Sequence, residues 1–156
     1  MRIYPVAVLL LALPLAAALA CGGEKSIETD EGTVTIDRDD QTVTFSADGE
    51  KFEMKTGEGV ELPKDFPKDV LIYPGATLLT SMTSAEGVMV SSQSTADATE
   101  VVAFYREKMA GEGWTVEAEM NMGPQRIISF AKGDRQLTVT AASEGDETII
   151  SLMAGG

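Results

Sequence analysis

Apolar and polar residues alternate over three short stretches, Thr33-Val34-Thr35-Ile36, Thr42-Val43-Thr44-Phe45 and Lys51-Phe52-Glu53-Met54. Val34, Val43 and Phe52 stand nine residues apart, as do Ile36, Phe45 and Met54. A period of two sends successive side chains to opposite faces of a strand, so residues 33–56 predict a three-strand β-meander. Its six apolar side chains share one face and Thr, Glu and Lys take the other. Asp37 to Gln41 and Ala47 to Glu50 make the turns, the second carrying an Asp48-Gly49 pair suited to a tight hairpin. Three strands are not stable with an apolar face in water, so this face is expected to pack on the main domain, with a partner as the other occupant.

The pattern breaks at Gly57-Glu58-Gly59, and three prolines between residues 62 and 76 then enforce an extended, non-helical path. Thr77 to Thr83 and Val88 to Gln93 read as a hairpin across Ser84-Ala85-Glu86-Gly87. A helix follows, with Asp97 as N-cap, Glu100 three residues on, Arg106 and Lys108 in the last turn and Gly111 to end it. Ala98, Val101, Val102, Tyr105 and Met109 fall on one helical face, so the helix has one side to bury. Trp114 to Met120, Arg126 to Lys132, Arg135 to Ala142 and Thr148 to Met153 read as four more strands, and the short turns between them force antiparallel neighbours. Residues 62–153 are thus expected to form an α+β domain, an antiparallel sheet in the order ββαββββ with one packed helix, preceded by the meander.

Ahead of all this, Ile3 to Ala20 is an uncharged, largely apolar run behind Met1-Arg2, the pattern of a secretory signal over residues 1–20. It ends in Ala17-Ala18-Leu19-Ala20-Cys21-Gly22-Gly23, which resembles the lipobox of bacterial lipoproteins, small and aliphatic residues directly before a cysteine. Ala18 departs from the family's commonest choice, Leu, at that position. The resemblance implies that the signal is cut before Cys21 and that the Cys21 thiol carries the lipid. Gly22 after the cysteine implies the outer membrane in a diderm source, and in a monoderm source the outer face of the cytoplasmic membrane. An uncleaved helical anchor is the alternative, since the run nears the length of a membrane span, although Pro5 and Pro14 count against it. Residues 21–32 hold only Ile27 as a large apolar side chain and read as a flexible tether reaching about 18 Å.

Composition narrows the partners. The 156 residues hold 12 Lys and Arg against 25 Asp and Glu, a net charge of −13. Removing residues 1–20 takes away Arg2 and no acid, so the acidic bias belongs to the exported body. Nucleic acid is excluded as a partner on charge, and membrane association has to come from an anchor rather than from a basic patch. With no histidine and one cysteine, histidine triads, histidine metal sites, redox CxxC pairs and internal disulfides all drop out.

No phosphate loop, dinucleotide fingerprint or nucleophile elbow is present. Asp37, Asp39 and Asp40 share a turn, but a calcium loop would need Gly where Thr42 stands and Glu where Asp48 stands, so they read as solvated turn residues. Met82, Met89, Met120 and Met122 read as adaptable core filling rather than a thioether metal site. No catalytic residue, metal site or cofactor is assigned. The segment Leu62-Pro63-Lys64-Asp65-Phe66-Pro67-Lys68-Asp69-Val70-Leu71-Ile72-Tyr73-Pro74-Gly75-Ala76, with Phe104-Tyr105 and Gly113-Trp114, resembles exported bacterial lipoproteins that have no assigned activity. The resemblance spans about residues 62–153.

These readings converge on a non-enzymatic, lipid-anchored cell-envelope protein. Its body is expected to bind another envelope protein or a wall component through a sheet face or the proline-rich segment. Phe66, Tyr73, Tyr105 and Trp114 are the candidate contact residues. The alternative is a small-ligand carrier or carboxylate-dependent hydrolase, with a pocket between helix and sheet where Tyr73, Tyr105 and Trp114 line the cavity.

Overall fold

The computed structural model describes residues 23–29, 32–47, 50–57 and 60–156. The signal stretch, Cys21 and the Asp48-Gly49 turn lie outside the described residues. Ten strands and one helix follow in chain order: β1 (Lys25–Thr29), β2 (Gly32–Asp37), β3 (Thr42–Ala47), β4 (Glu50–Thr56), β5 (Thr77–Ser84), β6 (Gly87–Ser94), α1 (Ala98–Gly111), β7 (Thr115–Met122), β8 (Gln125–Lys132), β9 (Arg135–Glu144) and β10 (Glu147–Gly155). The strands form one antiparallel sheet in the order β1-β2-β3-β4-β5-β6-β10-β9-β8-β7. The α+β class and the single packed helix hold.

The helix forms where its caps are. The Asp97 carboxylate accepts a 2.7 Å hydrogen bond from the Thr99 amide, satisfying one of the free N–H groups of the first turn. At the other end the helix runs through Gly111, and Gly113, at φ +83°, is the residue that stops it. Gly113 N–H donates to Ala110 and Trp114 N–H to Met109, at 3.1 and 2.9 Å, the paired bonds of a Schellman motif. That left-handed step turns the chain back and delivers Trp114 beside Met109, both buried.

The core lies between α1 and one face of β6 and β8–β10. Val101, Tyr105 and Met109 meet Phe130, Leu137, Val139, Ile150 and Leu152, all at 1% exposure or less. The segment before β5 closes the same side, with Phe66 and Val70 inserted in the core.

Three expectations need correction. The meander has four strands rather than three, because Lys25–Thr29, read as flexible tether, pairs with β2 from Lys25↔Ile36 to Thr29↔Gly32. A lone Ile27 suffices there because a strand added at a sheet edge draws its hydrogen bonds from its neighbour and needs little burial of its own. The meander is also not a layer packed face-on against the main domain. It continues the sheet edge-on, β4 pairing with β5 from Glu53↔Thr83 to Thr56↔Thr80. Finally, its apolar side chains stand on the face opposite α1. Ile36, Val43, Met54, Met82, Met89 and Met153 are successive cross-strand partners. Since Val88, Val90, Leu152 and Ala154 point into the core, Met89 and Met153 point away from it, and their partners with them. Among the described residues no helix or strand lies across this outer face.

Candidate functional site

Two clefts flank the end of the sheet where the β5–β6 hairpin meets the last residues of β10. They share Ser84, Glu86, Gly87, Val88, Ala154 and Gly155, so the strand ends form the wall between them. Gly87 and Gly155 are cross-strand partners. Gly87 sits at φ +150°, and a Cβ there would collide with the Ala154 carbonyl oxygen, so only glycine permits this close approach of β6 and β10.

On the α1 side the cleft is about 460 Å³ and is lined by Asp65, Pro67, Trp114 and Arg135. A compact ion cluster sets its electrostatics. Asp69 accepts 2.9 and 2.6 Å hydrogen bonds from the Arg135 guanidinium and a 2.6 Å bond from Lys132 Nζ. Lys132 also donates to the Glu112 carbonyl at 2.7 Å, tying the end of α1 to β8. The Arg135 guanidinium lies 4.9 Å from the Trp114 ring centroid and Lys132 Nζ 5.9 Å, within cation–π range. The Arg135 hydrogen bond, against the cost of burial, holds the Asp69 carboxyl well below the usual carboxylate range. Two cations share the one carboxylate, so the cluster clamps the proline-rich segment and keeps one net positive charge, of which Arg135 is the member that lines the cleft.

On the outer face the second cleft is about 670 Å³, lined by Met82, Met89, Met153, Thr138 and Gln136, with Glu86 and Asp134 at its rim. Its size falls in the range of small-molecule sites. Flexible thioethers line its floor, and these adapt to ligands of varied shape. Met153 is 57% exposed, so this floor is open.

The structure places the sequence-predicted contact residues differently. Phe66, Tyr105 and Trp114 are buried in the core, and Tyr73 is half-buried, edge-on to Phe104 with ring centroids 5.1 Å apart. Only Trp114 of the four lines either cleft. The space between helix and sheet is filled by Tyr105, Met109, Phe130 and their neighbours, and neither cleft is lined by an α1 residue, unlike the expected helix–sheet pocket. The Tyr105 hydroxyl and Trp114 Nε1 are buried without a hydrogen-bond partner among the described residues, and burial pushes the Tyr105 phenol above its ordinary range. Met120 and Met122, read as core filling, are about half exposed on β7, an edge strand. Asp37 accepts from the Asp39 and Asp40 amides at 2.9 and 3.2 Å, the work of a turn carboxylate. Among the described residues no group of three or more His, Cys, Asp or Glu stands close enough to hold a metal ion, and no helix is long and apolar enough to cross a membrane.

Asp69 stands next to Lys68 in the sequence. Its partners Lys132 and Arg135 are more than sixty residues away, and no local signal announces such a pairing.

Residues 77–148 match a family described as START domain-like. The match runs from β5 to the start of β10, takes in α1, and leaves β1–β4 outside. No curated protein and no solved structure matches the chain.

Proposed function

We propose that the chain is an exported bacterial lipoprotein: residues 1–20 are a signal that is cut away, Cys21 carries the lipid, and the body is a non-enzymatic binding module held at the cell envelope. The observation that carries this reading is Ala17-Ala18-Leu19-Ala20 directly before the chain's one cysteine, behind an uncharged run that starts after Arg2. The anchor puts the body on the outer membrane of a diderm, or on the outer face of the cytoplasmic membrane of a monoderm. Its partner there is an envelope protein or wall component. The test is the intact mass of detergent-extracted protein, wild type and Cys21→Ser. A chain beginning at Cys21 with added acyl mass, lost in the variant, upholds the reading; an uncut, unmodified chain overturns it.

The START domain-like match favours a second reading for the body, that of a small-ligand carrier. The methionine-floored cleft of about 670 Å³ is the place for the ligand. A thermal-shift screen then finds a stabilising apolar compound whose effect disappears in Met89→Glu, because bound ligand stabilises only the folded state. A screen without a stabilising compound removes this reading and leaves the first intact.

A further inference from the structure

We propose that the apolar outer face of β1–β4 rests on the surface of an electrically neutral phospholipid bilayer, as a second membrane contact beside the lipid on Cys21. The inference rests on the anchor reading above and says where the body sits once anchored.

Two observations carry it. The first is the length of the leash. With Lys25–Thr29 in strand β1, only residues 22–24 separate Cys21 from the sheet, instead of the eleven of the expected tether. Four Cα–Cα steps span at most about 14 Å, so a lipid on Cys21 holds Lys25 at the bilayer rather than above it. Lys25 pairs with Ile36, so the leash leaves from the corner of the apolar row itself.

The second is the two-faced meander. Its outer face presents Ile27, Val34, Phe45, Phe52, Ile36 and Met54, and among the described residues of its strands the charged ones on that face are Lys25 and Glu50. The opposite face carries Glu28, Asp37, Lys51, Glu53 and Lys55 among threonines and serines. Ile27 and Phe45 are 45% and 37% exposed, and no helix or strand among the described residues covers them. A body on so short a leash meets the lipid at high effective concentration whatever its intrinsic affinity, and burying the apolar face there is favourable where burying the charged one is not. The neutral balance of Lys25 and Glu50 suits zwitterionic headgroups. The acidic body as a whole is repelled by anionic ones. A second copy of the chain is the competing occupant, but nothing holds it near as the leash holds the bilayer.

The test is methionine oxidation, read residue by residue by mass spectrometry, on the full extracted protein in phosphatidylcholine vesicles. Lipid-free Cys21→Ser is the reference. Met54 lies on the proposed contact, and Met122, 53% exposed on the far edge strand, is the internal control. Oxidation of Met54 should slow at least fivefold on vesicles while Met122 is unchanged, and the acylated Phe45→Asp variant should lose that protection. An acylated protein whose Met54 is as reactive on vesicles as off them overturns the proposal while the anchor stands. Protection that needs no vesicles and rises with protein concentration overturns it in favour of a second copy. If the intact mass shows no acyl group, the anchor reading falls, and saturating vesicles decide the face alone: Met54 protection upholds it and its absence overturns it.

Discussion

Along one continuous ladder of strand pairings, Ile128, Phe130, Leu137, Val139, Ile150 and Leu152 of β8–β10 are buried to 1% exposure or less, while β1–β4 contain no buried residue at all. Both halves have the same antiparallel hydrogen bonding, and both have an apolar face. The difference is the second layer: α1 and the proline-rich segment close the face of one half, and among the described residues no such layer covers the other. Backbone hydrogen bonds exchange for bonds to water and contribute little net stability, so the covered half carries the fold and the meander is held mainly through β5. The START domain-like match falls on that covered half.

The largest expected consequence is in hydrogen exchange. Amides of β9 should exchange only through global opening, at a cost of about 5 to 15 kcal/mol, whereas those of β1 and β2 open locally near zero cost in lipid-free solution. Comparable protection in both halves would mean that the meander's apolar face is covered in solution. Next in size is the core itself. Phe130→Ala should lower unfolding stability by about 3 to 5 kcal/mol in denaturant titration, because the cavity it leaves lies between β8 and a helix that cannot collapse onto it.

The clamp on the proline-rich segment comes third. Asp69→Asn should cost about 1 to 2 kcal/mol near neutral pH, the cluster being partly exposed and so partly screened. The sign of its pH dependence follows from the lowered carboxyl. A group depressed in the folded state contributes its stability above the unfolded carboxylate value of about 3.9 and loses it as pH falls through the folded one. Wild type and Asp69→Asn should therefore keep their difference in thermal stability from pH 6 down to about pH 4 and lose it progressively as the pH falls further.

How much of this was legible in the chain follows the same division. The covered half was readable because its signals are local: alternation in strands, a helical stripe from Ala98 to Met109, and turns such as Gly133-Asp134 that lay a strand antiparallel beside the one before it. The helix does end at Gly111 as read, but two glycines stand two residues apart, and only the backbone angles show that Gly113 is the left-handed one that turns the chain. The meander's alternation was equally plain, but alternation says which side chains share a face and not what lies over that face. A polar segment such as Lys25–Thr29 becomes a strand through its neighbour's free edge, which its own residues do not encode. The clefts were illegible for a related reason: they form where residues 65–67, 82–89, 134–138 and 153–156 converge, and no single stretch signals that meeting.

The smallest expected effect separates the halves most cleanly, because it is a phenylalanine again. Phe45 is 37% exposed, and at such a site truncation leaves no closed cavity and removes little buried area. Phe45→Ser should change unfolding stability in lipid-free buffer by about 0.5 kcal/mol or less, several-fold below the loss at Phe130. Were Phe45→Ser to cost as much as Phe130→Ala in dilute protein, the outer face would already be packed against something in solution. A near-neutral result leaves the Phe45 side chain contributing little to the isolated fold, and its place in the alternation of β3 then answers to a surface that the fold meets and does not itself contain.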